Sequence, residues 1–208
     1  MKSPPNIRLP ETWLRLPHAE AGNRIGLFGG SFNPPHSGHR QVAETALKRA
    51  GLDQVWWLVT PGNPLKDHGN LAPLESRIDA VARLAAHPRM RVTAFEATLG
   101  TSYTASVIAT LRRLRPALRF VWIMGADSLA SFHRWQRWKS IAEGVPMLVV
   151  DRPGASMAAL SAPAAQTYAG ARIEESDADL LPFLRPPAWT FVTTRLDPSS
   201  STKLREGH

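Results

Sequence analysis

The 208-residue chain has no cysteine. That excludes disulfides, thiolate nucleophiles and any zinc site that needs sulfur, and it fits a reducing compartment. Zinc would have to rely on histidine and carboxylate. No run of about eighteen apolar residues occurs, and the start MKSPPNIRLPETWLRLPHAEAGNR lacks an apolar leader core. A cytoplasmic protein without a membrane partner is therefore expected. Several catalytic signatures are missing too: HExxH, GxxxxGK[ST], GxSxG and an intact GxGxxG. Zinc protease, Walker-type ATPase, α/β-hydrolase and dinucleotide-fingerprint dehydrogenase readings thereby lose their usual support.

What is present is an ordinary globular composition, 43% hydrophobic and 20% charged, in a length that suits one domain with a sizeable core. Lysine and arginine number 25 against 17 acids, giving a net charge of +8 and a pI near 10.7. The partner suggested is an anion, either nucleotide or nucleic acid, with a merely solvated basic surface as the alternative. No RNP, KH or helix-turn-helix pattern is present, so no nucleic-acid partner is expected.

Residues 1–23, with prolines at 4, 5, 10 and 17 set against any helix, read as a peripheral or flexible arm. From Arg24 onward, short apolar runs alternate with helical patterns. The runs IGLF (25–28), VWWLV (55–59), MRVTAF (90–95), FVWIM (120–124) and MLVV (147–150) read as buried parallel strands. Between them, Ile78, Val81, Ala82 and Ala85, and then Val107, Ile108, Leu111 and Leu114, recur at helical spacing and face a sheet. The alternation predicts an α/β, doubly wound parallel sheet, with ligands bound beyond the carboxyl ends of its strands. The Ala- and Pro-rich stretch from 156 to 187 offers no core element before WTFV at 189–192.

Directly after the first strand stands Gly-Gly-Ser-Phe-Asn-Pro-Pro-His-Ser-Gly-His, residues 29–39. Gly29 and Gly30 lack Cβ atoms, so backbone N–H groups can approach a ligand, and Pro34 and Pro35 stiffen the descent into a helix beginning near Ser37. A phosphate would meet the positive end of that helix. His36 and His39, three residues apart, can lean toward one spot and donate to phosphate oxygens. A metal pair, or simple capping and packing, are the rival readings of H-x-x-H.

This segment is similar to the G-G-[ST]-F-[DN]-P-x-H-x-G-H motif of the HxGH nucleotidylyltransferase superfamily, and in particular of its nicotinate-nucleotide adenylyltransferase branch. Other segments agree in order: NPLK at 63–66 after the second strand, TSYT at 101–104 opening the third crossover helix, and GADSLASFHRWQRW at 125–138 after the fourth strand. DRPG at 151–154 follows the fifth strand, and SSSTKLR at 199–205 resembles the terminal S-S-T-x-[IL]-R. The resemblance spans about residues 24–205 and implies a Rossmann-like single nucleotidylyltransferase domain over 24–208, with a short carboxyl-terminal segment for the ATP phosphates. Pantetheine-phosphate, glycerol-phosphate and riboflavin-type transferases share the histidine segment, and class I aminoacyl-tRNA synthetases share H-x-G-H. TSYT and the tryptophan segment favour the nicotinate branch.

The resemblance implies adenylyl transfer from ATP to nicotinic acid mononucleotide, with Mg2+ arriving on the triphosphate and no protein metal site. It puts ATP on Gly29, Gly30, Ser31, Phe32, His36 and His39, with Asp127 near substrate hydroxyls and Ser200, Ser201, Thr202 and Arg205 over the phosphates. His36, His39 and Lys66 would be catalytic. Lys66, Thr101, Tyr103, Thr104, Trp135 and Arg152 would serve the mononucleotide, Trp135 by stacking on the pyridine ring. Trp56, Trp57 and Trp122 lie within strand runs and are assigned to packing.

Overall fold

The computed structural model describes residues 9–62, 71–101, 103–152 and 155–194. Within them, β1 (Arg24–Gly30), β2 (Gln54–Val59), β3 (Met90–Thr93), β4 (Arg119–Gly125), β5 (Met147–Val150) and β6 (Trp189–Val192) form a six-stranded sheet in the order β3-β2-β1-β4-β5-β6. Every neighbouring pair is parallel. The helices are α1 (Glu11–Leu14), α2 (Ser37–Arg49), α3 (Leu74–Leu84), α4 (Thr104–Leu114), α5 (Ala126–Ser131), α6 (Trp138–Ala142), α7 (Ser156–Leu160) and α8 (Pro163–Thr167).

Alternate strand residues feed two apolar layers, which is why each strand reads as a continuous hydrophobic run. Phe28, Trp57 and Ile123 join Val42, Leu47, Ile78 and Val81 of α2 and α3 on one face. Leu27, Trp56 and Trp122 join Val107, Leu111 and Ile141 of α4 and α6 on the other. The crossovers thus change face after β3, and the strand order reverses at β1. The carboxyl ends of β1 and β4, neighbours in the sheet yet far apart in sequence, therefore open a crevice. The three sequence-assigned packing tryptophans are buried as expected.

The structure departs from the sequence reading in four places. Leu114 is exposed: it lies in the last turn of α4, one turn past Leu111, and has run off the sheet. The strand expected over 90–95 stops at Thr93, because the Thr93 hydroxyl accepts from Phe95 N–H at 3.0 Å and starts a 3-10 turn, Phe95–Thr98. The amino-terminal segment does contain a helix: Pro10 stands just before α1, where a missing N–H breaks no intrahelical bond. Residues 13–15 also lie against the end of the edge strand β3, with Ala94 N–H donating to Trp13 O at 2.7 Å, the Thr93 hydroxyl donating to Trp13 O and Arg15 O, and Trp13 and Leu14 packed on the core. Finally, the stretch after 155 holds α7, α8 and two 3-10 segments, Ala169–Ala171 and Glu175–Phe183. Each α-helical piece has five residues, too few to show a period.

Candidate active site

β1 ends at Gly30, and α2 begins seven residues later with its amino terminus at the carboxyl edge of the sheet. His36 occupies the cap position of α2. Its side chain accepts from the backbone N–H of His39, while His36 N–H donates to His39 Nδ1 at 3.3 Å. This reciprocal arrangement is a capping box made of two histidines. A ring nitrogen that accepts carries no proton, so His39 is held as the Nε2–H tautomer. The two rings lie 3.8 Å apart between centroids, beside the positive end of a thirteen-residue helix. Capping and phosphate binding, rival readings in the sequence, are here compatible.

Phe32 sits immediately upstream with φ +46°, a left-handed conformation that is uncommon outside glycine. Its buried ring packs edge-on to Phe28 and His39, at 5.4 and 5.1 Å between centroids, and tilted against Trp57. The side chain therefore belongs to the core, and only the Phe32 backbone is left for the ATP contact expected of it. Gly29 is small for a reason the sequence reading did not give: a Cβ there would stand 2.5 Å from Trp122 Cη2. Trp122 in turn packs perpendicular to the half-buried Trp135, 6.3 Å between centroids, so one indole links the end of β1 to the tryptophan expected to stack on substrate.

Across the crevice, Gly125 ends β4. A Cβ at Gly125 would meet Asp127 Oδ1 at 2.5 Å and Arg152 Cδ at 2.8 Å. Asp127 and Arg152 pair at 3.6 Å, with the aspartate side chain 56% exposed and the arginine 15%. On the α4 side, Tyr103 caps the helix, and Tyr103 N–H donates to Thr101 Oγ1 at 3.3 Å. Thr104 opens α4, whose first-turn amides point toward the carboxyl edge. The structure thus gathers Gly29, Gly30, Ser31, Phe32, His36 and His39 at β1, Asp127 and Arg152 at the ends of β4 and β5, and Thr101, Tyr103 and Thr104 at α4. Lys66, Ser200, Ser201, Thr202 and Arg205 lie outside the described residues.

Two polar residues missed in the sequence sit beneath this edge. Arg77, 2% exposed, stands on the apolar stripe of α3 between Leu74 and Val81. Burial lowers its pKa to about 10. Glu96, in the 3-10 turn after β3, is 5% exposed. Burial raises its pKa to about 7, opposed by a hydrogen bond with the Thr60 side chain. An arginine in phase with an apolar stripe, and a glutamate at the end of a strand, were the signals available. Among the described residues no three His, Cys, Asp or Glu side chains group as metal ligands, and no helix is long and apolar enough to cross a membrane.

The comparisons with known proteins agree with this architecture. The cytidylyltransferase-like family model matches residues 27–207. A probable nicotinate-nucleotide adenylyltransferase of Rhizobium johnstonii is 55% identical, with 92% of this chain and 96% of that protein covered. Proteins of the same name from Agrobacterium fabrum and Methylorubrum extorquens are 56% and 57% identical, each with 88% of this chain and 98% of its own length covered. The nicotinic acid mononucleotide adenylyltransferase of Plasmodium falciparum, solved with NaAD, shares the fold at a TM-score of 0.66 and 15% identity, covering 88% of this chain and 83% of that one. Matched along most of its length, and more than half identical to such relatives, this chain belongs to the cytidylyltransferase-like family and to its nicotinate-nucleotide adenylyltransferase branch.

Proposed function

We propose that the crevice between β1 and β4 transfers the adenylyl group of ATP to nicotinic acid mononucleotide, giving nicotinic acid adenine dinucleotide and pyrophosphate, a step in NAD biosynthesis. The observation that carries this reading is the interlocked His36–His39 pair at the positive end of α2, where the strand order reverses. A phosphate oxygen of the mononucleotide attacks the α-phosphorus of ATP. The bond from that phosphorus to the bridging oxygen breaks, and pyrophosphate leaves with the electron pair. The attacking phosphate has a second pKa near 6 and is mostly dianionic at neutral pH, so no general base is required. Catalysis then consists of alignment and of positive charge placed around crowded anions.

In this reading the imidazole N–H groups of His36 and His39 donate to ATP phosphate oxygens, and backbone amides of the Gly29–Phe32 turn meet the nucleotide. Lys66 reaches the reacting phosphates, while Ser200, Ser201, Thr202 and Arg205 close over the triphosphate. Asp127 takes substrate hydroxyls, and its pairing with Arg152 leaves the guanidinium beside the same edge to attract phosphate. Trp135 stacks on the pyridine ring, and Thr101, Tyr103 and the first amides of α4 meet the ring carboxylate. Magnesium enters as the counter-ion of ATP, on the substrate side. The reading also keeps the protein in the cytoplasm, without nucleic acid or membrane as partner, in line with the absence of cysteine.

Pyrophosphate release from ATP tests the reading, with the acid and the amide mononucleotides as alternative acceptors. Donors facing the ring substituent suit two carboxylate oxygens, whereas an amide NH2 turned toward an N–H leaves a donor unpaired at about 1–3 kcal/mol. The acid is expected to be preferred by about a hundredfold or more in kcat/KM. Stacking is blind to this difference, so Trp135→Ala should weaken both acceptors and leave their ratio nearly unchanged. Equal use of the amide would refute the acid preference, and a collapsed ratio in the variant would refute the assigned division of roles.

A further inference from the structure

Among the described residues Arg77 makes four hydrogen bonds, all to backbone carbonyls. Nε donates to Ala72 O at 2.9 Å, Nη1 to Ser31 O at 2.7 Å and Thr60 O at 2.8 Å, and Nη2 to Pro61 O at 3.1 Å. These acceptors come from three separate places: the turn after β1, the end of β2 and the approach to α3. Ala72 is gripped from both sides, since its N–H donates to Asn33 Oδ1 at 3.2 Å. A closed loop results, running from Arg77 to Ser31, along the chain through Phe32 to Asn33, across to Ala72 and back to Arg77.

Phe32, between Ser31 and Asn33, is the residue with φ +46°. Such a conformation costs on the order of 1–3 kcal/mol and persists only where its surroundings over-determine it. Arg77 fixes the carbonyl on one side of Phe32, and the Asn33–Ala72 bond fixes the other. Held this way, the Phe32 ring packs edge-on to His39. A guanidinium suits this position because its rigid fork can serve four diverging carbonyls, whereas an ammonium has three donors on a flexible stem. Arg77 also lies in a buried place where no carboxylate is hydrogen-bonded to it among the described residues, an expensive setting for a cation unless its donors are all needed.

We propose that Arg77 is a positioning residue for the transfer reaction: it holds the left-handed turn at Phe32, and through the Phe32 ring it fixes the orientation of His39. The proposal rests on the phosphate-binding reading of His39 given above. Its consequence is that loss of Arg77 disorders a donor that matters in the transition state while leaving most ground-state binding intact.

The test compares wild type with Arg77→Met and Arg77→Lys, and uses Val81→Ala as a control, since Val81 is a buried core residue of the same helix. Two readouts are taken well below each melting temperature: steady-state kinetics with ATP and nicotinic acid mononucleotide, and the 15N signature of the His39 imidazole tautomer. The methionine variant is expected to lose about tenfold to a hundredfold in kcat, the scale of a misplaced reacting group, with both KM values within about threefold. Its His39 signal should move from a fixed Nε2–H form toward an averaged one. The lysine variant should recover part of both, and Val81→Ala should lose stability with neither effect. A methionine variant with kcat within twofold of wild type, a loss of kcat matched by Val81→Ala, or an unchanged His39 signal would overturn the proposal. Should the methionine variant not fold, the lysine variant decides by the same readouts. Wild type that is inactive on the mononucleotide, with a His39 signal that still depends on Arg77, would defeat the substrate reading and leave the positioning role standing.

Discussion

At the scale of single residues, His36 and His39 have two separable duties. Each ring serves the capping box through one nitrogen, and the proposed phosphate contact uses the other. Removing either ring should therefore cost stability as well as activity. His39→Ala is expected to lose about 1 kcal/mol, the usual worth of a cap, or roughly 2–4 °C in a chain of this size. Turnover should fall about a hundredfold or more, as for a lost transition-state donor. His36→Ser separates the duties, because serine caps well but cannot reach a phosphate as imidazole does. Thermal melts and pyrophosphate release should show that variant nearly as stable as wild type and strongly impaired. A serine variant with wild-type turnover would remove His36 from the chemistry.

At the scale of elements, the neighbourhood of the motif is set by packing between strands. β1 and β4 are adjacent in the sheet, and Trp122 of β4 extends under Gly29 of β1, so a backbone position in the glycine-rich turn is set by the size of a side chain on another strand. Gly29→Ala forces its new methyl against Trp122 Cη2. Trp122 cannot swing away freely, being 2% exposed and packed edge-on to Trp135. The expected cost is about 1–3 kcal/mol of overpacking. Trp122→Phe shortens the ring and carries its own cavity cost, but the double variant should be more stable than the two separate losses predict. Denaturant unfolding of the four proteins measures this, and simple additivity would show that the contact is not what keeps position 29 a glycine. The long helices and the buried strands were legible because their periods repeat several times. The five-residue helices α7 and α8 and the turn that replaces the end of the third strand were not, since a single turn has no period and Thr93 ends the strand through a side chain that bonds locally.

For the molecule as a whole, the buried carboxyl of Glu96 links stability to pH. Its pKa stands at about 7 in the folded chain against an ordinary 4.5, with burial as the leading cause. Below pH 4.5 the group is protonated in both folded and unfolded states and makes no difference. Between 4.5 and 7 the folded state holds the proton more tightly, so stability declines as pH rises, by about 3 kcal/mol in all, and levels off above 7. Glu96→Gln should abolish that part of the pH dependence and be the more stable form at pH 8, as judged by unfolding between pH 5 and 8. Parallel pH profiles for variant and wild type would show that Glu96 does not titrate in this range. The basic composition, by contrast, left open whether the partner was a nucleotide or a nucleic acid. Net charge reports the sign of a partner and nothing of its shape.

The sequence by itself determined the layer architecture, through apolar runs buried on both faces, and it singled out the glycine-proline-histidine segment after the first strand as the candidate site. His36 and His39 were singled out from their place at a helix start, whereas Trp135 and Asp127 came only from the likeness to the nucleotidylyltransferase motifs. Tertiary structure alone decided how they are held. That Gly29 answers to Trp122, that the Phe32 ring is turned into the core, and that Arg77 gathers carbonyls from three segments are facts about residues far apart in the chain. Spacing rules describe neighbours within one helix or strand. A guanidinium on α3 and a carbonyl after β1, 46 positions apart, meet only because the sheet brings the ends of β1 and β2 together, and no local pattern encodes that meeting.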